Sequence, residues 1–267
     1  MRTEKDSLGE LQVPDEAYYG IHTARSLVNF DLSGEKMPKE IIYAMTKIKL
    51  AAARVNADLG LLDKEKRKAI VHACQRVLSG EFDNQFPLDV FQAGSGTSSN
   101  MNVNEVVANV ANEIMGGQKG DRHRIHPNDD VNMSQSTNNV FPSAIRIAAS
   151  ELSSPLLESL RHLIETLRKK AAEFADVFKS GRTHLQDAVP VTLGQEFAAW
   201  ARALEKDVKR LEQSRFRLRE LGLGGTAIGT GVNTRKDFRP LLIRELNALT
   251  GCLYEGAENG IELTQFL

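Results

Sequence analysis

The chain has 267 residues, of which 41% are hydrophobic and 26% charged, as in a globular protein with a sizeable apolar core. Its net charge of −1 and its lack of a long apolar run argue against a nucleic-acid-binding or membrane-spanning protein. Cys74 and Cys252 provide neither a disulfide framework nor a metal cluster, and the charged first residues do not resemble a secretion signal. We therefore expect a cytoplasmic protein with no metal or cofactor.

The first half of the chain predicts short helices joined by loops. Glycine and proline recur through residues 1–38, so we expect irregular structure there. An apolar stripe after Pro38 predicts a helix that ends near Gly60, and Asp63 can cap a second helix that ends at Gly80. A third helix is expected from Val103 to Met115.

Two segments in this half are rich in hydroxyl and amide side chains. Residues 94–104 read GSGTSSNMNVN, and residues 134–139 read SQSTNN. Both can be interpreted as loops that cap helices, because Ser, Thr and Asn are common N-cap residues. The same side chains, with glycine-exposed backbone N–H groups, also suit a carboxylate ligand. Composition alone leaves both interpretations open.

The second half predicts two long antiparallel helices. After Pro142, apolar residues recur at spacings of four and three as far as Phe178, as in a helix packed along a neighbour. A turn at Gly181 leads to Thr192, which with the glutamine three residues later has the spacing of a capping box, and to a helix ending near Glu220. No segment alternates with period two for long, so strands should be few and short.

A glycine-rich segment and one more helix complete the chain. Residues 221–234 follow a charged helix rather than a strand, which argues against a dinucleotide-binding turn. We expect a flexible connection in which another backbone approaches closely. A helix over residues 240–249 should follow and end before Gly251. The fold class predicted is all-α, with an N-terminal helical domain over residues 1–139 and part of a long helix bundle over residues 140–267.

Six segments together resemble the aspartase/fumarase superfamily, in particular aspartate ammonia-lyases and class II fumarases. They are GSGTSSNMNVNEV at 94–106, HPNDDVNMSQSTNN at 126–139, GRTHLQDAVPVTLGQEF at 181–197, LGGTAIGTGVNT at 223–234, and the opening EKDSLGE with YYGIHTARS. The resemblance implies a helical homotetramer whose active sites are each assembled from three subunits. It also implies a small dicarboxylate substrate and no cofactor.

The resemblance also implies which side chains act. The carboxylates and leaving group of the substrate would be held by Ser95, Thr97, Ser98, Ser136, Thr137, Asn138 and Thr183. His184 would be catalytic, orienting a carboxylate or transferring a proton, and a second carboxylate site is possible at His126, Asn128 and Asp129. In the implied elimination, a proton leaves C3 and ammonia or water leaves C2, giving fumarate through an aci-carboxylate that hydroxyls and amides stabilise.

One family segment does not occur in this sequence. Family members carry a later G-S-S-x-M-P-G-K-x-N-P loop whose serine is the base, and no such string is found here. The sequence therefore resembles the N-terminal portion of a lyase, and we expect it to be inactive alone.

The motifs divide between two substrates. Thr137 and residues 18–23 and 187–190 resemble aspartases, in which the threonine contacts the amino group. Residues 126–130 and 224–227 resemble fumarases. We favour an aspartate ammonia-lyase, with class II fumarate hydratase as the alternative. A non-catalytic, oligomerising helical module is a third interpretation.

Overall fold

The structure, a computed structural model, describes residues 1–266 and is mostly helical, which confirms the predicted fold class. Its eight helices and six short strands are, in chain order, β1 (Arg2–Asp6), β2 (Gly9–Val13), α1 (Ile21–Asn29), α2 (Lys39–Asp58), α3 (Lys64–Leu78), α4 (Thr97–Ile114), α5 (Thr137–Glu173), β3 (Phe178–Thr183), β4 (Gln186–Thr192), α6 (Leu193–Arg217), β5 (Glu220–Leu221), α7 (Phe238–Thr250), β6 (Glu255–Gly256) and α8 (Gly260–Gln265).

The strands form three separate two-stranded sheets within the described residues. β1–β2 and β3–β4 are antiparallel, and β5 pairs with β6 in parallel over two residues. Strands are thus few and short, as the lack of period-two alternation predicted. No helix of residues 1–266 has the length and apolar content needed to cross a membrane.

The chain divides into two compact units. The first consists of residues 1–148 and the described residues from 219 onward, and the second of residues 149–218. The core of the first unit lies where α2 packs on α3 and α7, and α3 on α4. In the second unit, α5 and α6 bury a smaller cluster formed by Leu157, Ile164, Ala201 and Val208. The predicted domains 1–139 and 140–267 stay a prediction, and α5 crosses their boundary as one helix.

Local sequence signals account for several helix ends. The Asp63 side chain accepts hydrogen bonds from two backbone N–H groups at the start of α3, and Thr192 and Gln195 form a reciprocal capping box at the start of α6. Gly251 ends α7 with a left-handed φ of 67°. These caps confirm the sequence-based expectation, because each depends on residues within one helical turn.

Other boundaries differ from the predicted ones. Residues 1–38 are not irregular throughout, since they form the β1–β2 hairpin and α1. α4 begins at Thr97 rather than Val103, and α5 begins at Thr137, before Pro142. Residues 97–104 and 137–139, which were interpreted as loops, therefore belong to two helices, whereas residues 94–96 and 134–136 precede them.

The connection between α5 and α6 is a β-hairpin rather than a simple turn at Gly181. The register shifts between Ser180 and Arg182, so Gly181 lies at a bulge. Phe178, expected at the end of the helical stripe, lies in β3 and is 78% exposed. The hairpin tip is formed by His184 and Leu185, both with left-handed φ.

The glycine-rich connection confirms the predicted close approach of two backbones. A Cβ atom on Gly229 would overlap the carbonyl group of Gly260, and Gly229 has a φ of +93°. Only glycine therefore fits at this position without a shift of the backbone.

Candidate active site

The candidate substrate residues of the first unit lie at two adjacent helix N-termini. α4 begins at Thr97 and α5 at Thr137. A Cβ atom on Gly96 would overlap the ring of Phe141, so the first turn of α5 packs directly on the start of α4. Asn100 Nδ2 also donates a 2.9 Å hydrogen bond to Thr137 Oγ1. Since free N–H groups and the helix dipole make each N-terminus partly positive, the pair suits a ligand with carboxylates.

The hydroxyl groups at the start of α4 differ in exposure. Ser95 Oγ lies 3.5 Å from Thr97 Oγ1 at an exposed turn, where Ser95 has a left-handed φ of 61°. Ser98 is buried, and its Oγ accepts a 3.0 Å hydrogen bond from Ser26 Oγ. Thr97 and Ser98 line a cavity of about 350 Å³, which His126 also reaches. The structure thus brings these three predicted residues to one cavity.

The residues at the start of α5 face a second cavity and the glycine-rich connection. Ser136 Oγ accepts a 3.3 Å hydrogen bond from Asn138 N, and Asn138 Nδ2 donates to the carbonyl oxygen of Ala227 at 2.7 Å. Ser136 lines a cavity of about 500 Å³ whose other lining residues are Ser134, Gln135, Thr226, Ala227, Ile228, Thr230, Val232 and Asn233. This lining contains no carboxylate side chain.

His126 has a capping role. Its Nδ1 accepts hydrogen bonds from the backbone N–H groups of Asn128 and Asp129, at 3.2 and 3.1 Å, at the start of a helical turn over Pro127–Val131. Because Nδ1 accepts these hydrogen bonds, it carries no proton. Asp129 Oδ2 lies 3.4 Å from Nδ1, but the two atoms do not form an ion pair. A ligand would reach this ring through Nε2–H. The second carboxylate site at His126, Asn128 and Asp129 stays a prediction.

Thr183 and His184 belong to the second unit. Thr183 ends β3 and pairs with Gln186, and His184 occupies the hairpin tip with a φ of 48°. His184 is exposed, and its neighbour Leu185 is 92% exposed. A histidine at an exposed tip has no role in its own core, but its catalytic role stays a prediction.

Among residues 1–266, left-handed backbone at residues other than glycine is confined to the motif segments. Among residues 1–266, the non-glycine residues with positive φ are Ser95, Ser134, His184, Leu185, Thr226 and Asn233. All six lie within the segments 94–106, 126–139, 181–197 and 223–234. Such conformations are unfavourable for side chains with a Cβ and tend to collect at ligand sites, so they support a functional role for the four segments.

A buried lysine lies behind the second polar segment. Lys49 Nζ donates to Asn132 Oδ1 at 2.6 Å and to Gln135 Oε1 at 3.0 Å, and burial lowers the pKa of Lys49 to about 7. Sequence analysis assigned no role to Lys49. A signal was present, since Lys49 lies four residues after Met45 and three before Ala52 on the apolar stripe of α2.

In residues 1–266, no three His, Cys, Asp or Glu side chains are arranged to hold a metal ion.

Comparisons with known proteins agree on one family. The model of the family described as Lyase matches residues 9–265. The chain is 49% identical over 262 residues to the class II fumarate hydratase of Ralstonia nicotianae, covering 98% of this chain and 57% of that protein. It is 48% identical over 259 residues to the class II fumarate hydratase of Helicobacter pylori, covering 97% and 56%. The chain thus spans little more than half the length of these relatives.

Solved structures give the same result. The fumarate lyase:delta crystallin of Brucella melitensis bound to cobalt superimposes with a TM-score of 0.94 and is 47% identical, covering 98% of this chain and 58% of that one. The class II fumarase of Schistosoma mansoni superimposes with a TM-score of 0.93 and is 40% identical, covering 98% and 58%.

These relatives overturn the preference for an aspartate ammonia-lyase, which was wrong: they are named class II fumarate hydratases. The preference depended in part on Thr137 as an acceptor for an ammonium group. In the structure, Thr137 Oγ1 already accepts from Asn100 Nδ2. Serine and threonine present the same hydroxyl group, so this position discriminates poorly between the two activities.

The family itself is established by the length and strength of the match. The family model covers most of the chain, and relatives near 49% identity align over 98% of it. The motif segments lie at the helix starts and turns described above. The chain therefore belongs to the lyase family of the aspartase/fumarase superfamily.

Proposed function

We propose that this chain forms part of a class II fumarate hydratase, which interconverts L-malate with fumarate and water. The observation that carries the proposal is the identity of about half of all residues, over 98% of the chain, to proteins of that name. In the reaction, a proton leaves C3 of malate, the C2–O bond breaks, and the C2–C3 double bond of fumarate forms with release of water.

The chemistry of the two helix N-termini supports this substrate class. Deprotonation next to a carboxylate develops a second negative charge on that carboxylate, and preorganised donors are the usual means of stabilising it. Thr97 at the start of α4 and Ser136, Thr137 and Asn138 at the start of α5 supply hydroxyl, amide and backbone donors. The cavity at Ser136 has no carboxylate to neutralise an ammonium group, and a hydroxyl leaving group needs none.

We infer that the remaining groups come from Thr183 and His184 and from a base outside this sequence, with the site completed in a homotetramer. Exposed apolar side chains on the long helices support assembly: Leu156 is 47% and Trp200 51% exposed. Light scattering of the full-length protein at micromolar concentration should give four times the subunit mass. A monomer of undisturbed fold would contradict the shared site.

The substrate is tested with a full-length protein that carries this sequence. L-malate and L-aspartate are supplied separately, and the ultraviolet absorbance of fumarate is followed. We expect fumarate from L-malate and none from L-aspartate. Fumarate from L-aspartate alone would refute the proposal, and a folded protein that acts on neither would favour the non-catalytic module.

A pair of threonine variants connects this activity to the site. Thr137→Val removes a hydroxyl at the α5 N-terminus, and loss of one donor to the developing charge should lower kcat on the order of 10²-fold. Thr166→Val on the same helix is the control, because Thr166 is exposed and donates to the carbonyl oxygen of His162. Equal kcat values for the two variants would place Thr137 outside the reaction.

A further inference from the structure

Among residues 1–266, the buried ammonium group of Lys49 has no carboxylate bound to it. Lys49 is fully buried, and its described hydrogen-bond acceptors are the amide oxygens of Asn132 and Gln135. Isolated buried charges are unfavourable, and proteins normally pair them with an opposite charge. A lysine kept in this state therefore needs an explanation outside the packing of the core.

Charged groups on the elements packed against α2 are engaged elsewhere. Asp130 binds Lys66 at 2.8 Å, Glu245 binds Arg54 at 2.6 Å, and Glu105 accepts from the backbone N–H groups of residues 20, 22 and 23. Asp129 is exposed. Cys74 of α3 would favour the ammonium form of Lys49 only as a thiolate, but burial raises the pKa of its thiol to about 12. At neutral pH, none of these groups neutralises Lys49.

Hydrogen bonds connect Lys49 to the start of α5. Asn132 Oδ1, which accepts from Lys49, also accepts from Asn100 Nδ2 at 3.3 Å, and the same Nδ2 donates to Thr137 Oγ1. Gln135, the other acceptor, immediately precedes Ser136 and lines the same cavity of about 500 Å³ as Ser136. Lys49 thus lies one layer behind the residues assigned to the substrate.

We propose that Lys49 is a positioning residue whose missing counter-charge is the substrate dianion, so that dicarboxylate binding is coupled to protonation of Lys49. This inference rests on the proposed function for the presence of a dicarboxylate at the α5 N-terminus. The ammonium holds Asn132 and Gln135, and through them the segment that carries Ser136 and Thr137. A dianion nearby favours the charged form of the lysine and is in turn bound more tightly by it.

The coupling has a defined sign. Because burial lowers the pKa of Lys49 to about 7, the free protein loses this proton near neutral pH. A bound dianion raises the pKa of Lys49, so affinity weakens as pH rises above 7, about tenfold for each unit of pKa difference between the free and the bound protein.

The stability of the free protein has the opposite trend. The unfolded chain binds the proton up to about pH 10 and the folded chain does not, so stability rises above pH 7.

The experiment measures succinate binding to the full-length protein by calorimetry between pH 6 and 9, in buffers that differ in ionisation enthalpy. We expect proton uptake on binding above pH 7 and an affinity that falls at least tenfold across the range. Lys49→Met should abolish the uptake, flatten the affinity profile and remove the rise in stability above pH 7. Lys39→Met is the control, since Lys39 is an exposed residue of the same helix, and it should behave as the wild type.

A second variant covers the case in which Lys49→Met does not fold. Gln135→Glu places a permanent carboxylate about where an amide oxygen now lies 3.0 Å from Nζ, so Lys49 stays charged and the uptake near neutral pH should disappear. Uptake that persists in either variant, or is absent from the wild type, overturns the inference. Lys49-linked uptake without turnover of malate would instead refute the proposed function and leave the coupling intact.

Discussion

The contact between the two helix N-termini depends on a single missing methyl group. Gly96 has a φ of 72°, and a Cβ added there would overlap the ring of Phe141 on α5. Gly34 has a φ of 76°, but nothing lies within 4 Å of its added Cβ. The variants Gly96→Ala and Gly34→Ala therefore share the conformational cost and differ in the clash.

The expected losses in the free energy of unfolding follow from the conformational cost and from the clash. A left-handed alanine costs about 1–2 kcal/mol, which is the whole loss expected for Gly34→Ala. Overpacking against Phe141 adds about 1–3 kcal/mol, so Gly96→Ala should lose about 2–5 kcal/mol. Phe141→Leu gives the added methyl room and should reduce the excess loss of Gly96→Ala over Gly34→Ala.

The assay must report on the first unit, and Trp200 does not because it lies in the second. Cys74 is fully buried in the core of the first unit, so its reactivity with a thiol reagent in urea measures the opening of that core. A Cys252→Ser background removes the other thiol of the chain. Equal losses for the two alanine variants, or an excess that Phe141→Leu leaves unchanged, would refute the packing of α5 on Gly96.

Three more perturbations probe the site and its surroundings. His184→Asn should lower turnover of the full-length protein by about 10²-fold or more. The melting temperature should not change, because asparagine tolerates a left-handed φ. A large fall in melting temperature with wild-type turnover would contradict this prediction. Asn100→Ala should lower the free energy of unfolding, measured in urea, by about 1–3 kcal/mol. The same substitution should cost distinctly less in a Thr137→Val background, because the hydrogen bond is already absent there. Equal losses in the two backgrounds would mean that this hydrogen bond contributes nothing to stability. Burial tends to raise the pKa of Asp89, but three backbone N–H groups outweigh it and hold the pKa well below its usual range. Asp89 therefore stabilises the fold above about pH 4 and loses this effect as pH falls, so Asp89→Asn should flatten the acid limb of the stability profile, and an unchanged limb would contradict the assignment.

Sequence reasoning succeeded where a signal and its structural effect lie within one helical turn. Helices begin at Asp63 and Thr192 through side-chain hydrogen bonds to neighbouring backbone, and one helix ends at Gly251 through its backbone angles. All three boundaries were predicted. The apolar stripes of α2 and α5 were likewise visible in the order of residues. Such features depend on local geometry and need no knowledge of the fold.

The start of α4 was missed because its polar residues are satisfied by distant partners. Asn102 donates to the carbonyl oxygen of Gln85 at 3.0 Å, and Asn109 to that of Tyr18 at 2.8 Å. Asparagine favours caps and turns when considered alone, so a run of it predicts a loop. Burial of these amides in the first unit makes them the inner face of a helix instead, which only the tertiary structure reveals.

The candidate site was predicted unevenly for the same reason. Motif segments identified Thr97 and Ser136 because hydroxyl and amide clusters stand out in composition. Lys49 was assigned no role because nothing near it in the sequence supported one. Its partners, Asn132 and Gln135, are neutral and more than eighty residues away. A charge on an apolar stripe was the available signal, and it indicates function because an unpaired buried charge destabilises the fold.

The composition of the site also determines how its binding can respond to pH. Hydroxyl, amide and backbone N–H donors do not titrate between about pH 5 and 9, so the two helix N-termini attract a dianion equally across that range. Lys49 differs, because the fold moves its pKa from the alkaline region to about 7. A site built from neutral donors thus acquires a pH-dependent affinity from one residue that does not touch the ligand, and this dependence can be removed by substitution without removing a donor.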